Sequence, residues 1–246
     1  MVQLVAWGLL ALSLSRDLYP QRRTELEKCL YTLDAKRSDM ESSSRCEICF
    51  MTLPFCICGR IQAIDCSGVE IPDIICYTHY KEFSKTSNTG KLVPKLFPRA
   101  SQIVYFRGEE DDICETCSDI ETLVVYPSKD SIPLHEYLAL RNGLSVDKRH
   151  RLVLLDSTWS QSKSLNRNLN NGYIRVNLNA QALSAGPSLF LNRRQVSLNR
   201  TSTLETLILT LQEMGVTKQV TDLMYEALKI SVTSVLKQNG LYKQHK

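Results

Sequence analysis

The feature that most constrains the fold of this 246-residue chain is an apolar run that ends abruptly in polar residues. Leu152 to Leu155 has the length and the bounds of a buried strand, and Asp156, Ser157 and Thr158 follow it directly. Their side-chain oxygens can accept hydrogen bonds from the first N–H groups of a helix. Open α/β sheets bind ligands where a strand gives way to a helix. The segment therefore predicts an α/β fold with a ligand site at the end of this strand.

Short apolar runs alternate with amphipathic stretches over most of the chain. Strands are predicted at Ile71–Tyr77, Ile103–Phe106, Leu123–Tyr126, Leu152–Leu155 and Tyr173–Leu178. Helices are predicted at Lys91–Phe97, Leu134–Leu140, Ser160–Leu169, Ser202–Met214 and Lys218–Leu236. The buried face of the last helix is expected to contain Leu223, Ala227, Ile230 and Ser234. Strands separated by helices imply a mostly parallel sheet that is flanked by helices.

The composition limits the possible partners and compartments. Thirty basic residues face 26 acidic ones, and a net charge of +4 permits a nucleic-acid partner without requiring one. No apolar run reaches the roughly 18 residues that a membrane helix needs, so no membrane partner is expected. The nine cysteines are odd in number and unevenly placed, which is not typical of a secreted disulfide framework. We expect a reducing compartment, the cytoplasm or the nucleus, and no obligate protein partner.

The amino-terminal residues leave the targeting of the chain open. Val2 to Leu14 is almost entirely apolar and resembles a signal-peptide core, but no Lys or Arg precedes it. A helix packed on the domain, or an extension, is the alternative. Glu41 to Ser44 reads as a linker. We divide the chain into an extension (1–44), a cysteine motif (45–60) and an α/β domain (61–246).

Four cysteines within thirteen residues form the clearest metal-binding pattern. Cys46, Cys49, Cys56 and Cys58 have the spacing Cys-x2-Cys-x6-Cys-x-Cys. Four thiolates can surround one tetrahedral zinc and leave no position for a catalytic water, so the pattern predicts a structural zinc site. Four reduced cysteines without a metal are the alternative.

A second cysteine pair lies in the acidic segment Glu109 to Glu121. Cys114 and Cys117 are expected to be free thiols in a solvated insertion. A second metal half-site or a redox pair is the alternative, and the latter would make the chain a thiol redox protein.

Several further motifs accompany the strand that ends in Asp156. His79 and Glu82 precede the polar turn Thr86 to Gly90, where an Asx-turn that caps the next helix is one interpretation. Ser202 to Glu205 has the pattern of a helix capping box. One further motif, Phe190 to Arg193, ends in a basic residue. Basic residues cluster around this motif, in a central segment and at the carboxyl end; they are Arg193, Arg194 and Arg200, then Lys148, Arg149 and Arg151, and finally Lys237–Lys246.

Together these motifs resemble the DTW-domain family, whose name comes from the Asp-x-Thr-Trp that is present here as Asp156 to Trp159. The resemblance runs from about Arg45 to Gly215. Two positions depart from the family's pattern: Tyr80 stands where proline is usual, and Ser87 stands where threonine is usual. The resemblance implies a domain similar to the knotted SPOUT methyltransferases. It also implies transfer of a 3-amino-3-carboxypropyl group from S-adenosylmethionine to N3 of a uridine in tRNA.

The resemblance assigns roles to residues of the matched motifs. Asp156 is the first candidate for the base that removes the N3 proton, or else it binds the ammonium or ribose of the donor. Glu205 is the second acid. Thr158 orders the loop or contacts the donor, and Trp159 walls the pocket, stacks on a base or packs in the core. Residues expected to contact the donor are Ser87, Asn88, Thr89, Thr203 and Arg193, the last through the donor's carboxylate.

Two other functions remain open at this point. The same transfer to ribosomal RNA is one, and a zinc-stabilised RNA-binding protein without activity is the other.

Overall fold

Six parallel strands of the described residues form one central sheet, which confirms the predicted α/β fold and adds one strand to the five predicted from the sequence. The computed structural model describes residues 31–36, 44–106, 113, 119–142, 149–179 and 201–240. The strands are β1 (Asp73–His79), β2 (Ser101–Phe106), β3 (Ile120–Val125), β4 (Ile132–Pro133), β5 (Arg149–Asp156) and β6 (Ile174–Asn177). The helices are α1 (Val93–Leu96), α2 (Leu134–Asn142), α3 (Trp159–Asn168), α4 (Thr203–Glu213) and α5 (Lys218–Gln238).

The strand order β2-β1-β5-β3-β6-β4 makes the boundary between β1 and β5 a topological switch point. The chain leaves β1 towards β2 on one side, whereas it leaves β5 and passes β3 to reach β6 on the other side. Neighbouring parallel strands whose connections diverge in this way open a crevice at their carboxyl ends, where ligands bind in such sheets. Thr78 and Asp156 are paired residues at this end of the two strands.

Side chains that alternate along the strands form two hydrophobic cores, one on each face of the sheet. Ile74, Cys76, Leu152 and Leu154 pack against α1, α4 and α5 on the first face. Ile75, Tyr77 and Val153 pack on the second face, where Leu165 of α3 contributes. Burial on both faces explains why the strands read as nearly continuous apolar runs.

Three features differ from the sequence-based predictions. The segment predicted as one helix over Lys91–Phe97 is a 3-10 turn, Gly90–Leu92, followed by the single turn of α1. The two-residue strand β4 was not predicted, because two residues show no periodicity and one of them is Pro133. Leu223 is 48% exposed, whereas Ala227 and Ser234 of the same predicted face are buried as expected, together with Val220, Met224, Leu228 and Val235.

The residues ahead of the sheet pack on both cores. Residues 31–36 are helical, and Lys36 donates hydrogen bonds to the carbonyls of Lys81 and Phe83. Met51 and Ile57, between the four cysteines, are completely buried in the first core.

The apolar stretch Val2 to Leu14 and the pair Cys114 and Cys117 lie outside the described residues. Among the described helices, none has the length and apolar character that crossing a membrane demands.

Candidate functional site

The carboxylate of Asp156 joins three separate segments at the carboxyl end of β5. Its Oδ2 accepts hydrogen bonds from the Thr78 hydroxyl at 3.1 Å and from the Asn88 amide at 2.6 Å. Its Oδ1 accepts a hydrogen bond from the Thr203 hydroxyl at 2.7 Å. The residue is only 4% exposed. Because a carboxylate offers about four acceptor positions, these three donors leave Oδ1 with capacity for one more.

The polar turn that precedes α1 is built around this carboxylate. The Asn88 Oδ1 accepts from the backbone N–H of Lys91 at 3.1 Å, which fixes the amide so that its nitrogen faces Asp156. Gly90 lies so close that a Cβ atom there would be 2.6 Å from the Asp156 Oδ2. No side chain larger than hydrogen fits at that distance. The Asn-Thr-Gly sequence therefore forms one wall of the Asp156 site, a role beyond the Asx-turn that residue types suggest.

The amino end of α4 meets the same turn. The Thr89 hydroxyl accepts a hydrogen bond from the backbone N–H of Leu204 at 3.2 Å. Ser202 and Glu205 form the predicted capping box, with the Glu205 Oε2 accepting from the Ser202 N–H at 2.8 Å. Glu205 is 5% exposed, so its carboxylate stabilises the start of α4. These contacts hold Thr203 in position to donate to Asp156.

Burial makes Asp156 a more basic carboxylate than an ordinary aspartate. Loss of solvent raises the pKa of Asp156, and the nearby charge of Glu82 raises it further. The hydrogen bonds from Asn88, Thr203 and Thr78 act in the opposite direction but do not cancel the effect of burial. A raised pKa suits a group that has to accept a proton.

A cleft opens beside this cluster at the ends of β3, β5 and β6. Apolar side chains and several hydroxyl groups line it; the lining residues include Val125, Pro127, Leu154, Leu155, Leu178, Ser157, Ser162, Thr201, Thr203 and Thr206. Thr203 belongs both to this cleft and to the Asp156 cluster. The cleft and the buried carboxylate are thus joined through one hydroxyl.

The Asp-Ser-Thr-Trp segment leads from β5 into α3. Thr158 is the N-cap of α3, and its backbone N–H donates to the Gln161 Oε1 at 2.9 Å. Trp159 lines the cleft and is 43% exposed, which places it at the mouth of the cleft and excludes the core-packing interpretation. The helix begins at Trp159, one residue earlier than predicted.

The four predicted cysteine ligands lie together on the first face of the sheet. Their sulfur atoms all lie within 4.8 Å of one another, with Cys46 and Cys58 at 3.6 Å and Cys49 and Cys56 at 3.7 Å. Four sulfurs about 2.3 Å from a tetrahedral zinc would be about 3.8 Å apart. The cluster therefore has the dimensions of a four-thiolate zinc site.

The local backbone favours ionisation of one of these thiols. Burial opposes it, but backbone N–H groups of Cys49 and Ile48 lower the pKa of Cys46 to about 7. Burial raises the pKa of Cys56 and Cys58, which also lie next to other sulfurs. A bound cation would offset the repulsion among several thiolates, which is what a metal site supplies.

A buried lysine connects the cysteine loop with the turn that holds Asp156. The Lys91 ammonium donates hydrogen bonds to the carbonyls of Cys49 and Thr86, the latter at 2.6 Å, and lies 5.5 Å from the Phe50 ring. Burial lowers the pKa of Lys91 to about 8. Since the side chain is 8% exposed, its bonds to the two loops replace its hydration. Sequence reasoning missed this residue because lysines are almost always at the surface.

We expect Lys91→Met to lower the free energy of unfolding by about 2–4 kcal/mol, because it removes charge-assisted hydrogen bonds and leaves buried carbonyls without donors. Lys95→Met is the matched control, since Lys95 is a half-buried lysine of α1. Urea denaturation of the two variants and the wild type measures the difference. Equal midpoints for all three would contradict a connecting role for Lys91.

The remaining predicted site residues divide into three groups. His79 is buried, accepts a hydrogen bond from the Lys81 N–H at 3.2 Å and stacks on Tyr80 with the ring centroids 4.6 Å apart. Glu82 is buried and pairs with Lys85 at 2.7 Å, while Ser87 lies in the same turn. Arg193 lies outside the described residues, as do Arg194 and Arg200.

Comparison with protein families matches residues 43–236 to the DTW domain. The match begins just ahead of the cysteine cluster and ends near the carboxyl end of α5. Comparison with curated proteins and with solved structures finds no match.

Proposed function

Because the chain belongs to the DTW-domain family, which is associated with tRNA-modifying enzymes, we propose that it transfers a 3-amino-3-carboxypropyl group from S-adenosylmethionine to N3 of a tRNA uridine. The observation that carries the proposal is the connection between a buried, basic carboxylate and an open cleft through the hydroxyl of Thr203. Such a connection serves a reaction in which a proton must leave the nucleophile.

The donor needs positioning more than activation. Its sulfonium already makes methylthioadenosine a good leaving group, so the protein chiefly has to align N3 with the γ-carbon of the methionine part. The apolar side chains of Leu154, Leu155 and Val125 in the cleft lining suit the adenine, and the lining hydroxyls suit the polar groups of the donor. Asn88 and Thr89 are buried outside the cleft lining, so they support the donor site by holding Asp156 and the start of α4. We assign Ser87 of the same turn to the donor, and Arg193 to the donor's carboxylate.

Thr203 provides the route for the proton. In the proposed step, uridine N3–H donates to the Thr203 Oγ1, whose own proton passes to the Asp156 Oδ1 at 2.7 Å. The N3 electron pair then forms the bond to the γ-carbon. The carbon–sulfur bond breaks, its electrons neutralise the sulfonium, and methylthioadenosine leaves. Asp156 therefore acts as the base, while Glu205 and Thr158 position α4 and α3 by capping them.

We propose that the four cysteines hold a structural zinc. Their sulfur separations fit a tetrahedral ion, and the burial of Met51 and Ile57 between them makes the loop part of the first core. The zinc takes no part in the transfer, because four thiolates leave no open coordination position.

We expect Asp156→Asn to reduce transfer at least about 100-fold, because proton removal by a positioned base contributes that much or more. Thr203→Val, which keeps the volume but removes the hydroxyl, should cause a similar loss, and Thr203→Ser should restore most of the rate. Full activity of Thr203→Val would eliminate the relay.

For the wild type, kcat/KM should rise with pH through a pKa above that of an ordinary aspartate, because only the deprotonated carboxylate accepts the proton.

Isotopic labelling of the donor tests the function itself. The protein is incubated with unmodified tRNA transcripts and S-adenosylmethionine labelled either in the carboxypropyl chain or in the methyl group. We expect only the chain label to enter tRNA, with methylthioadenosine released in equal amount. Incorporation into ribosomal RNA alone, or incorporation of the methyl label, would replace the proposed substrate or reaction, and no incorporation would indicate a non-catalytic protein.

A further inference from the structure

The helix that leaves the site carries an exposed aromatic and cationic stripe. Trp159, Lys163 and Arg167 are spaced four residues apart in α3, and all three are exposed. Four residues advance a helix by about 6 Å and return nearly to the same side, so the three side chains form one line. The opposite side of α3 is buried through Ser162 and Leu165.

The stripe begins at the cleft. Trp159 lines the mouth of the cleft, and Lys163 and Arg167 lie progressively farther from it along α3. Within the part of the chain that the structure describes, the side chains of Lys163 and Arg167 form no ion pair or hydrogen bond, unlike those of Lys218 and Lys229 of α5, which pair with acids of their own helix. Their charges are therefore available to a partner.

The surrounding sequence is free of negative charge. No acidic residue occurs between Asp156 and Glu205, whereas six basic residues do: Lys163, Arg167, Arg175, Arg193, Arg194 and Arg200. The whole chain has 26 acids in 246 residues, so an acid-free stretch of this length is a local departure. Three of the six basic residues, Lys163, Arg167 and Arg175, lie in α3 or contact its carboxyl end, and their positive charges favour an anionic partner there.

Arg175 holds the stripe in place. Its guanidinium donates to the carbonyls of Asn166 and Leu169, both at 3.3 Å, at the carboxyl end of α3. Because it satisfies carbonyls that the helix leaves unpaired, Arg175 fixes the end of the helix and adds a positive charge there.

We propose that the exposed face of α3, formed by Trp159, Lys163 and Arg167, is the surface on which the RNA strand carrying the target uridine docks. The proposal rests on the proposed function and names the binding surface of the same site. Trp159 stacks on the target base or its neighbour, and the two cations neutralise successive phosphates of the strand as it leaves the cleft.

The double variant Lys163→Gln/Arg167→Gln tests the surface. Its matched control is Lys218→Gln/Lys229→Gln, which removes the same charge from exposed positions of α5, on the other face of the sheet. Binding of an end-labelled, unmodified tRNA transcript is measured by fluorescence anisotropy at several salt concentrations. For the double variant alone, the plot of log K against log salt should become less steep, by about 0.7–0.9 for each lost phosphate contact. Kd of that variant should rise at least about tenfold.

Tryptophan emission tests the stacking. Trp7 is the other tryptophan of the chain, so a Trp7→Phe background leaves Trp159 as the reporter. Binding of the transcript should quench the emission. Trp159→Ala should weaken binding between about 5-fold and about 150-fold, and Trp159→Phe should recover most of the loss. Unchanged emission on binding would overturn the stacking role.

The outcomes separate this proposal from the proposed function. If the wild type releases methylthioadenosine but the α3 double variant binds the transcript with unchanged affinity and slope, the function stands and the surface proposal is overturned, leaving a solvated or protein-binding face. If binding falls as expected but neither protein releases methylthioadenosine with any transcript, the surface stands and the function fails. A wild type that does not bind the transcript overturns both.

Discussion

Gly90→Ala is expected to abolish most of the transfer activity, with a loss of about 100-fold or more, although the residue is not itself chemically reactive. The added Cβ would lie 2.6 Å from the Asp156 Oδ2, 2.7 Å from its Cγ and 3.0 Å from its Oδ1, so the carboxylate must move. Moving it lengthens its bonds to Asn88 and Thr203 and misplaces the proton acceptor. Overpacking of this kind also costs about 1–3 kcal/mol of stability.

Gly59→Ala provides the control, because a Cβ at Gly59 would meet no atom within 4 Å. Kinetics of both variants with saturating tRNA and donor measure the effect, and circular dichroism confirms that each is folded. A Gly90→Ala enzyme with the rate of the wild type would show that the position of the Asp156 carboxylate is not critical.

Cys58→Ser is expected to abolish binding of the proposed zinc and to lower the free energy of unfolding by about 3–5 kcal/mol, because metal binding contributes directly to folding. For a protein of this size, the melting temperature should fall by roughly 10 °C. The loss should extend to activity, since Lys91 connects the backbone of Cys49 to the turn that contains Asn88. A chelator applied to the wild type should reproduce the effect.

Cys66→Ser is the matched control for the cysteine cluster. Cys66 is a half-buried free cysteine outside the group of four. Its thiol donates a hydrogen bond to the carbonyl of Ile64 at 3.6 Å. Metal analysis and thermal unfolding should show one zinc and a nearly unchanged melting temperature for this variant. Equal zinc content in the Cys58→Ser and Cys66→Ser proteins would contradict a four-thiolate site.

The elements that sequence reasoning predicted well are those with a local signal. The strand that ends in Asp156 and the capping box at Ser202 are set by residues within a few positions of one another. The four cysteines also lie close in sequence, so their spacing alone indicates the cluster that the structure confirms. Local patterns of this kind require no knowledge of the tertiary fold.

The contacts that give these elements their chemistry are not local. Asn88 and Asp156 are 68 residues apart, and Thr203 is 47 residues beyond Asp156, so no periodicity relates them. The need for glycine at position 90 is visible only once Asp156 lies against it. Leu223 was assigned to the wrong face of α5 because two overlapping apolar stripes occur in that helix, and only packing against α4 and the first core decides between them.

Nucleoside analysis of cellular tRNA tests the central claim most directly. tRNA is isolated from cells that lack the protein and from the same cells supplied with the wild type or with Thr203→Val, and its nucleosides are separated by liquid chromatography and mass spectrometry. We predict that 3-(3-amino-3-carboxypropyl)uridine is absent without the protein, returns with the wild type and stays largely absent with Thr203→Val. An unchanged amount of this nucleoside in cells lacking the protein, where no second enzyme of the same kind is present, would contradict the account.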